Sequence, residues 1–165
     1  MTTSADECQA LLDEHGAALL LFARQRVASL VDAEDALQEA FICFWQSRDH
    51  VRDPLSYLYS CVRTAALDLR RGAHRRKRRE SLAARPANAA WFDTSVGEAD
   101  RRETIEHALT GLPVDQREAL VMRIWSGATF QQIGEALGVS SKTASARYGS
   151  AVDSLCTLVS EDLVQ

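Results

Sequence analysis

The stretch TFQQIGEALGVSSKTASARYGSAVDSL, residues 129–155, decides the fold. Thr129 is a residue type that caps a helix start. Phe130, Ile133 and Leu137 then recur at helical spacing, which predicts a short helix over 129–137 with those three side chains inward. Gly138-Val139 is a tight turn, and Ser140 can cap a longer helix over about 141–159. The inward stripe of that helix is Ala144, Tyr148, Ala151, Val152, Leu155 and Leu158. Gly149 interrupts it at a cost of roughly 1 kcal/mol relative to alanine. A short helix, a glycine turn and a second helix form a helix–turn–helix, here over 129–159, with one helix end turned outward. That end carries Ser141, Lys142, Thr143, Ser145 and Arg147. These are hydrogen-bond donors of suitable reach for phosphates and base edges in a DNA major groove. The same spacing also serves a plain helical hairpin with no nucleic-acid role.

Upstream of this unit the periodicity stays helical. Residues 114–126 form a helix with Leu120, Val121, Ile124 and Trp125 inward, and 102–110 form another that ends at Gly111-Leu112-Pro113. Residues 81–101 hold Pro, Asn, Gly, Ser and small residues without a durable stripe, and read as a flexible linker whose Trp91 and Phe92 either pack against one of the domains or contact a partner. In 32–47 (DAEDALQEAFICFWQS) the apolar set is Ala33, Ala36, Leu37, Ala40, Phe41, Phe44 and Trp45, one wide helix stripe with Asp32 at its start. The opposite face gathers Asp35, Gln38, Glu39 and Ile42, an acidic and amide patch that by itself reads as a solvated helix face and, alternatively, as one that docks a protein. Residues 8–28 read as an earlier helix, with Leu11, Leu12, Leu19, Phe22 and Val27 apolar. Asp53-Pro54 marks the start of another, carrying Leu55, Leu58, Val62, Ala65, Ala66 and Leu69. The fold class is therefore all-α: two small helical domains, 1–80 and 102–165, joined by the linker 81–101.

Composition narrows the function. The 165 residues are 46% hydrophobic with only three Pro, which suits a folded helical protein and excludes wholesale disorder. No apolar run is long enough to insert in a membrane, and MTTSADECQA lacks the basic start of a secretory signal, so the expected location is cytoplasmic. Cys8, Cys43, Cys61 and Cys156 show no metal-ligand spacing and read as reduced, mostly buried thiols. The four histidines are scattered, and no catalytic residue set, metal site or cofactor loop is expected. The net charge of −4 hides a concentrated positive site. Arg70–Arg79 (RRGAHRRKRR) has seven Lys or Arg and no acid, and Arg63, Thr64 and Arg71 continue its face along the preceding helix. Such a run is either a solvated helix end or a surface that follows a nucleic-acid backbone and releases counterions; seven positive groups without a countercharge favour the polyanion. Residues 102–165, in contrast, hold five basic and eight acidic groups, which weakens long-range attraction to DNA.

Together these segments resemble the bacterial RNA polymerase sigma factors of the extracytoplasmic-function (ECF) group. DAEDALQEAFICFWQ is similar to that family's core-polymerase-binding helix. PLSYLYSCVRTAALDLRR with the basic residues after it is similar to its promoter-melting, −10-reading helix. LPVDQREALVMRIWSGATFQQIGEALGVSSKTASARYGSAVDSL is similar to its −35-reading domain. The resemblance implies that 1–80 binds core RNA polymerase through Asp35, Gln38, Glu39 and Ile42. It also implies that a loop at about His50–Pro54, including Arg52, holds an unstacked −10 base. Arg63, Thr64, Arg70, Arg71, Arg75, Arg76, Lys77, Arg78 and Arg79 would hold phosphates around it. Ser141, Lys142, Thr143, Ser145 and Arg147 would enter the −35 major groove. The implied partners are core RNA polymerase, promoter DNA and an anti-sigma factor, with no cofactor and no chemistry of the factor's own. Three features depart from the family pattern: Thr64 stands where Asn is frequent, Gly134 where alanine is common, and the stretch after Lys142 is poorer in Lys and Arg. The competing readings are a sigma-like decoy that binds an anti-sigma factor without promoter recognition, and an ordinary helix–turn–helix repressor.

Overall fold

Seven α-helices and one short 3-10 turn follow one another in the computed structural model, which describes residues 4–79 and 99–162, and side chains over 5–77 and 104–161. The expected linker lies outside the described residues up to 98, Trp91 and Phe92 with it. The first domain is α1 (Ser4–Arg24), α2 (Leu30–Ser47), a 3-10 turn (Arg48–His50) and α3 (Pro54–Arg79). The second is α4 (Ala99–Thr110), α5 (Val114–Ser126), α6 (Phe130–Leu137) and α7 (Ser141–Asp162).

Local chemistry sets the helix ends. α2 starts two residues before Asp32, because Ser29 in an extended conformation accepts the Asp32 N–H at 3.1 Å. Asp32 is thus not the cap; it sits in the first turn, where its charge suits the helix dipole. α1 stops at Arg24 rather than near residue 28, since the Gln25 and Arg26 amides bond to the Phe22 and Ala23 carbonyls in a tightened last turn. Asp53 Oδ1 accepts the Ser56 N–H at 3.1 Å and opens α3 before Pro54. α3 does not end at residue 69 but runs through the basic segment to Arg79. Good helix formers surround its one glycine, Gly72, and the positive charges lie at the favourable C-terminal end of the helix dipole.

The first domain buries Leu19 and Phe22 of α1 against Ala33, Ala36, Ala40 and Phe44 of α2 and Leu58, Val62 and Ala66 of α3. The alanines of α2 let the helices approach closely, and each fully buried Leu or Phe contributes roughly 1.5–3 kcal/mol. Leu37 and Phe41 pack at the edge of this core, whereas Trp45, expected inward, is exposed. In the second domain Leu109, Leu112, Leu120 and Ala151 form a small cluster with Tyr148, Val152 and Leu155. Thr129 and Gln132 form a reciprocal capping box at α6, and Ser140 Oγ accepts the Thr143 N–H at the start of α7. Gly138 takes φ 69° at the end of α6. Gly134 is a packing requirement: a Cβ there would stand 2.6 Å from the Val139 carbonyl oxygen. A Cβ at Gly149 would meet nothing, and nothing in the structure explains that glycine.

The two domains pack on each other, α1 against α5 and α3 against α6. Tyr59 and Phe22, edge-to-face at 4.8 Å between centroids, join one continuous apolar cluster with Val121, Met122, Ile133 and Ala136. This contact corrects the reading of α5. Its buried residues are Glu118–Met122, because both domains cover that segment, and Ile124 (53% exposed) and Trp125 face outward instead of inward. The cysteines are also less buried than expected: all four are free, three are partly buried and Cys156 is exposed.

Candidate functional site

The outward face of α2 carries Asp35, Gln38, Glu39 and Ile42, all exposed. Val31 (65% exposed) and Trp45 extend it at both ends, since positions 31, 35, 38, 42 and 45 follow one line of an α-helix. Sequence reasoning missed both residues. The spacing contains the signal, but Trp45 fits an apolar stripe equally well.

The loop before α3 borders a cleft of about 490 Å³ lined by Ser47, His50, Val51, Arg52, Asp53, Ser56, Tyr57 and Ser60 of the first domain. Glu135 of α6 closes its rim. Its volume suits a small flat ligand group. Ser56, Tyr57 and Ser60 were not anticipated. Ser56 Oγ is buried and has no hydrogen-bond partner, which leaves an unmet donor and acceptor on the cleft wall. Next to it, Cys43 Sγ lies 3.6 Å from the Tyr57 hydroxyl, and burial pushes the Cys61 thiol up to about 12.

Along α3 the basic residues are not on one face. Helical geometry aligns Arg63, Arg70 and Lys77, places Thr64, Arg71 and Arg75 on an adjacent line, and sends Arg76 to the far side. Arg70, Arg71, Arg75, Arg76 and Lys77 are exposed, with Arg71 3.6 Å from Asp68. The side chains of Arg78 and Arg79 lie outside the described residues. Thr64 turns its hydroxyl back to the Ser60 carbonyl at 3.0 Å. At the start of α7, Ser141, Lys142, Thr143 and Ser145 are exposed, while Thr143 Oγ1 also accepts from Ser140 Oγ at 2.9 Å. Arg147 is only partly exposed and lies 3.8 Å from Asp115.

One ionic cluster joins the domains. Glu118 is fully buried and accepts two hydrogen bonds from Arg26, Nε at 2.6 Å and the terminal nitrogen at 3.0 Å. The same Arg26 reaches Asp115 at 3.3 Å, and Arg63 Nε lies 3.5 Å from Glu118. The Glu118 hydrogen bonds hold the Arg26 guanidinium above its ordinary range, against the pull of burial. Tyr59 OH and Ser126 Oγ are 2.6 Å apart, and burial raises the Tyr59 phenol to about 12. Gln132 donates to Asp53 Oδ2 at 2.8 Å. No residue of this cluster other than Arg63 and Arg147 stands out in the sequence. These partners are 67 to 92 residues apart for Tyr59–Ser126 and Arg26–Glu118, and no local pattern announces such pairs.

A helical first domain with an exposed acidic face and a cationic helix, followed by a helix–turn–helix, can be compared with known proteins. The Sigma-70 region 2 family matches residues 11–79, and the Sigma-70 region 4 family matches 102–153. The chain is a sigma factor of the ECF group. Among curated relatives, the ferric citrate uptake sigma factor FecI of Escherichia coli is 28% identical over 84% of this chain and 83% of its own length. The ECF RNA polymerase sigma factor SigL of Mycobacterium tuberculosis is 28% identical over 89% and 85%. The sigma factor RpoE of Bartonella quintana, solved with the anti-sigma factor NepR, shares the fold at a TM-score of 0.75 and 23% identity, over 94% of this chain and 97% of that one. CnrH, solved with the cytosolic domain of CnrY, shares it at 0.65 and 23%, over 96% and 91%. The sigma factor's described helices include none long and apolar enough to cross a membrane. Among its described residues no group of three or more His, Cys, Asp or Glu is placed to hold a metal ion.

Proposed function

We propose that this sigma factor binds core RNA polymerase, directs it to a −10/−35 promoter and separates the strands there, without chemistry of its own. The observation that carries this reading is the order of two sigma-70 regions along one chain, each on its own helical domain. The α2 face from Val31 to Trp45 docks on the polymerase: apolar residues at its two ends and Ile42 give area, and Asp35, Gln38 and Glu39 give orientation and register. The cleft beside α3 takes an unstacked −10 base, with the exposed His50 and Arg52 on its wall available to it. Unstacking costs a few kcal/mol, which contacts in the cleft and the phosphate contacts of Arg63, Arg70 and Lys77 offset. Ser141, Lys142, Ser145 and Arg147 contact the −35 element. A protein of the kind bound to RpoE, an anti-sigma factor, holds the sigma factor in reserve.

Transcription by purified core polymerase on a library of promoter-length DNA, with and without the protein, tests the reading. Start-site-specific transcripts that require the protein are the expected result. Core binding without transcripts on a genomic library would instead make it a decoy, and the absence of core binding would overturn the sigma reading.

A further inference from the structure

Among the α3 residues expected at promoter phosphates, Thr64 has no proton left for one. A threonine hydroxyl donates a single hydrogen bond. That of Thr64 goes to the Ser60 carbonyl at 3.0 Å, the back-bond that a helical threonine makes to the preceding turn. A phosphate oxygen accepts hydrogen bonds and gains nothing from the lone pairs that remain. Thr64 is nevertheless exposed, so its methyl group is the part left to meet an approaching molecule. The back-bond also fixes the side-chain rotamer, and with it the place of that methyl group.

The position of Thr64 on α3 decides what the methyl group meets. Tyr57, Ser60 and Thr64 follow one line of the helix, and the first two line the cleft. Thr64 stands one turn, about 6 Å, beyond the cleft wall at Ser60. The exposed Arg71 and Arg75 continue the same side. A single strand with one base in the cleft and its backbone on those arginines passes Thr64 with the neighbouring base. Thymine is the DNA base that presents a methyl group on its edge. We infer that Thr64 determines part of the promoter specificity: its methyl group packs on the C5-methyl group of a thymine beside the captured −10 base. This rests on the assignment of the cleft and of α3 to the −10 strand. The contact is small and apolar. Removing one methyl group from it changes affinity about fourfold, so the preference is graded, without the larger loss that an unmet hydrogen bond brings.

The test uses holoenzyme assembled from core polymerase and the full chain, on a promoter selected from the DNA library. Each non-template thymine of the −10 element is replaced in turn by deoxyuridine, which removes the methyl group and nothing else. The affinity of the open complex, read by fluorescence of a labelled promoter, should fall about fourfold at a thymine position. Thr64→Ser keeps the hydroxyl, loses the methyl group and should abolish that penalty. Thr64→Val keeps the methyl group on an equally stiff branched stem and should preserve it. A phosphate contact gives the reverse: Thr64→Val is impaired and Thr64→Ser keeps the parent behaviour. That reversal overturns the inference, and so does a uracil penalty that survives unchanged in Thr64→Ser. A −10 element without thymine, or one indifferent to uracil at every position, overturns it as well. The uracil scan on the parent needs no variant, so the inference is decided even where a substitution fails to fold. A parent that opens no promoter overturns the functional reading and this one with it. A parent that opens promoters with no uracil penalty overturns this one alone.

Discussion

Gly134→Ala is the most economical perturbation of the helix–turn–helix. On propensity alone it should stabilise α6 by about 1 kcal/mol, and it restores the residue common in the family. The structure sets a larger opposing cost. The new Cβ would lie 2.6 Å from the Val139 carbonyl oxygen, 3.1 Å from the Ser140 carbonyl carbon and 3.2 Å from the Ser141 nitrogen. All three are backbone atoms, so no side-chain rotation relieves the clash and the turn itself must move. Overpacking of this kind costs about 1–3 kcal/mol. The balance is a net loss of about 1 kcal/mol, or roughly 2–4 °C in Tm for a chain of this size. The displaced atoms are those that launch α7, so Ser141, Lys142 and Ser145 move with them. Thermal unfolding by circular dichroism and transcription from a −35-dependent promoter give the two readouts, and both should fall while affinity for core polymerase stays at the parent value. A Tm raised by the propensity gain, with −35 dependence intact, would refute the steric argument.

Replacing Gln38 and Glu39 together by alanine should weaken core binding about tenfold, in the range of interface truncations near 1 kcal/mol; unchanged affinity in a fluorescence titration removes α2 from the interface. Neutralising Arg75, Arg76, Lys77, Arg78 and Arg79 should slow promoter opening and flatten its dependence on salt, by about 0.7–0.9 in log–log slope for each phosphate that the variant leaves unneutralised. An unaltered slope would return the run to solvent. Tyr59 gives a pH signature. Its folded pKa, raised from 10 to about 12, means its contribution is intact below pH 10 and is lost as pH rises from 10 through 12. Stability should therefore fall by about 2–3 kcal/mol over that window beyond the fall seen in Tyr59→Phe, and equal pH profiles for the two proteins would place the phenol in water.

The helices are readable because their causes are local. Thr129, Ser140, and Asp53 before Pro54 are start signals that act over three or four residues, and the structure uses each of them. The errors in burial have one source. Apolar spacing tells which residues share a face, not how many partners cover it. Ile124 and Trp125 share the apolar pattern of α5, but the first domain covers the 118–122 segment and leaves them outside. Trp45 fails as an inward residue for the same reason. The exposed faces of α2 and of the start of α7 are legible as the polar complements of those stripes. The cleft wall at Ser56, Tyr57 and Ser60 and the Arg26–Glu118 pair are not, since both depend on chain segments brought together only by folding.

The unbroken course of α3 carries a consequence for the basic run. At 1.5 Å per residue its 26 residues form a rod about 39 Å long. The first half is locked into the core, and the last turns extend exposed with Arg71 and Arg75, four residues apart, repelling each other. An anion laid along those turns removes that repulsion, so its binding and the winding of the last helical turns are one equilibrium. Neutralising the run therefore stabilises the last turns of the rod, whichever polyanion supplies the charge.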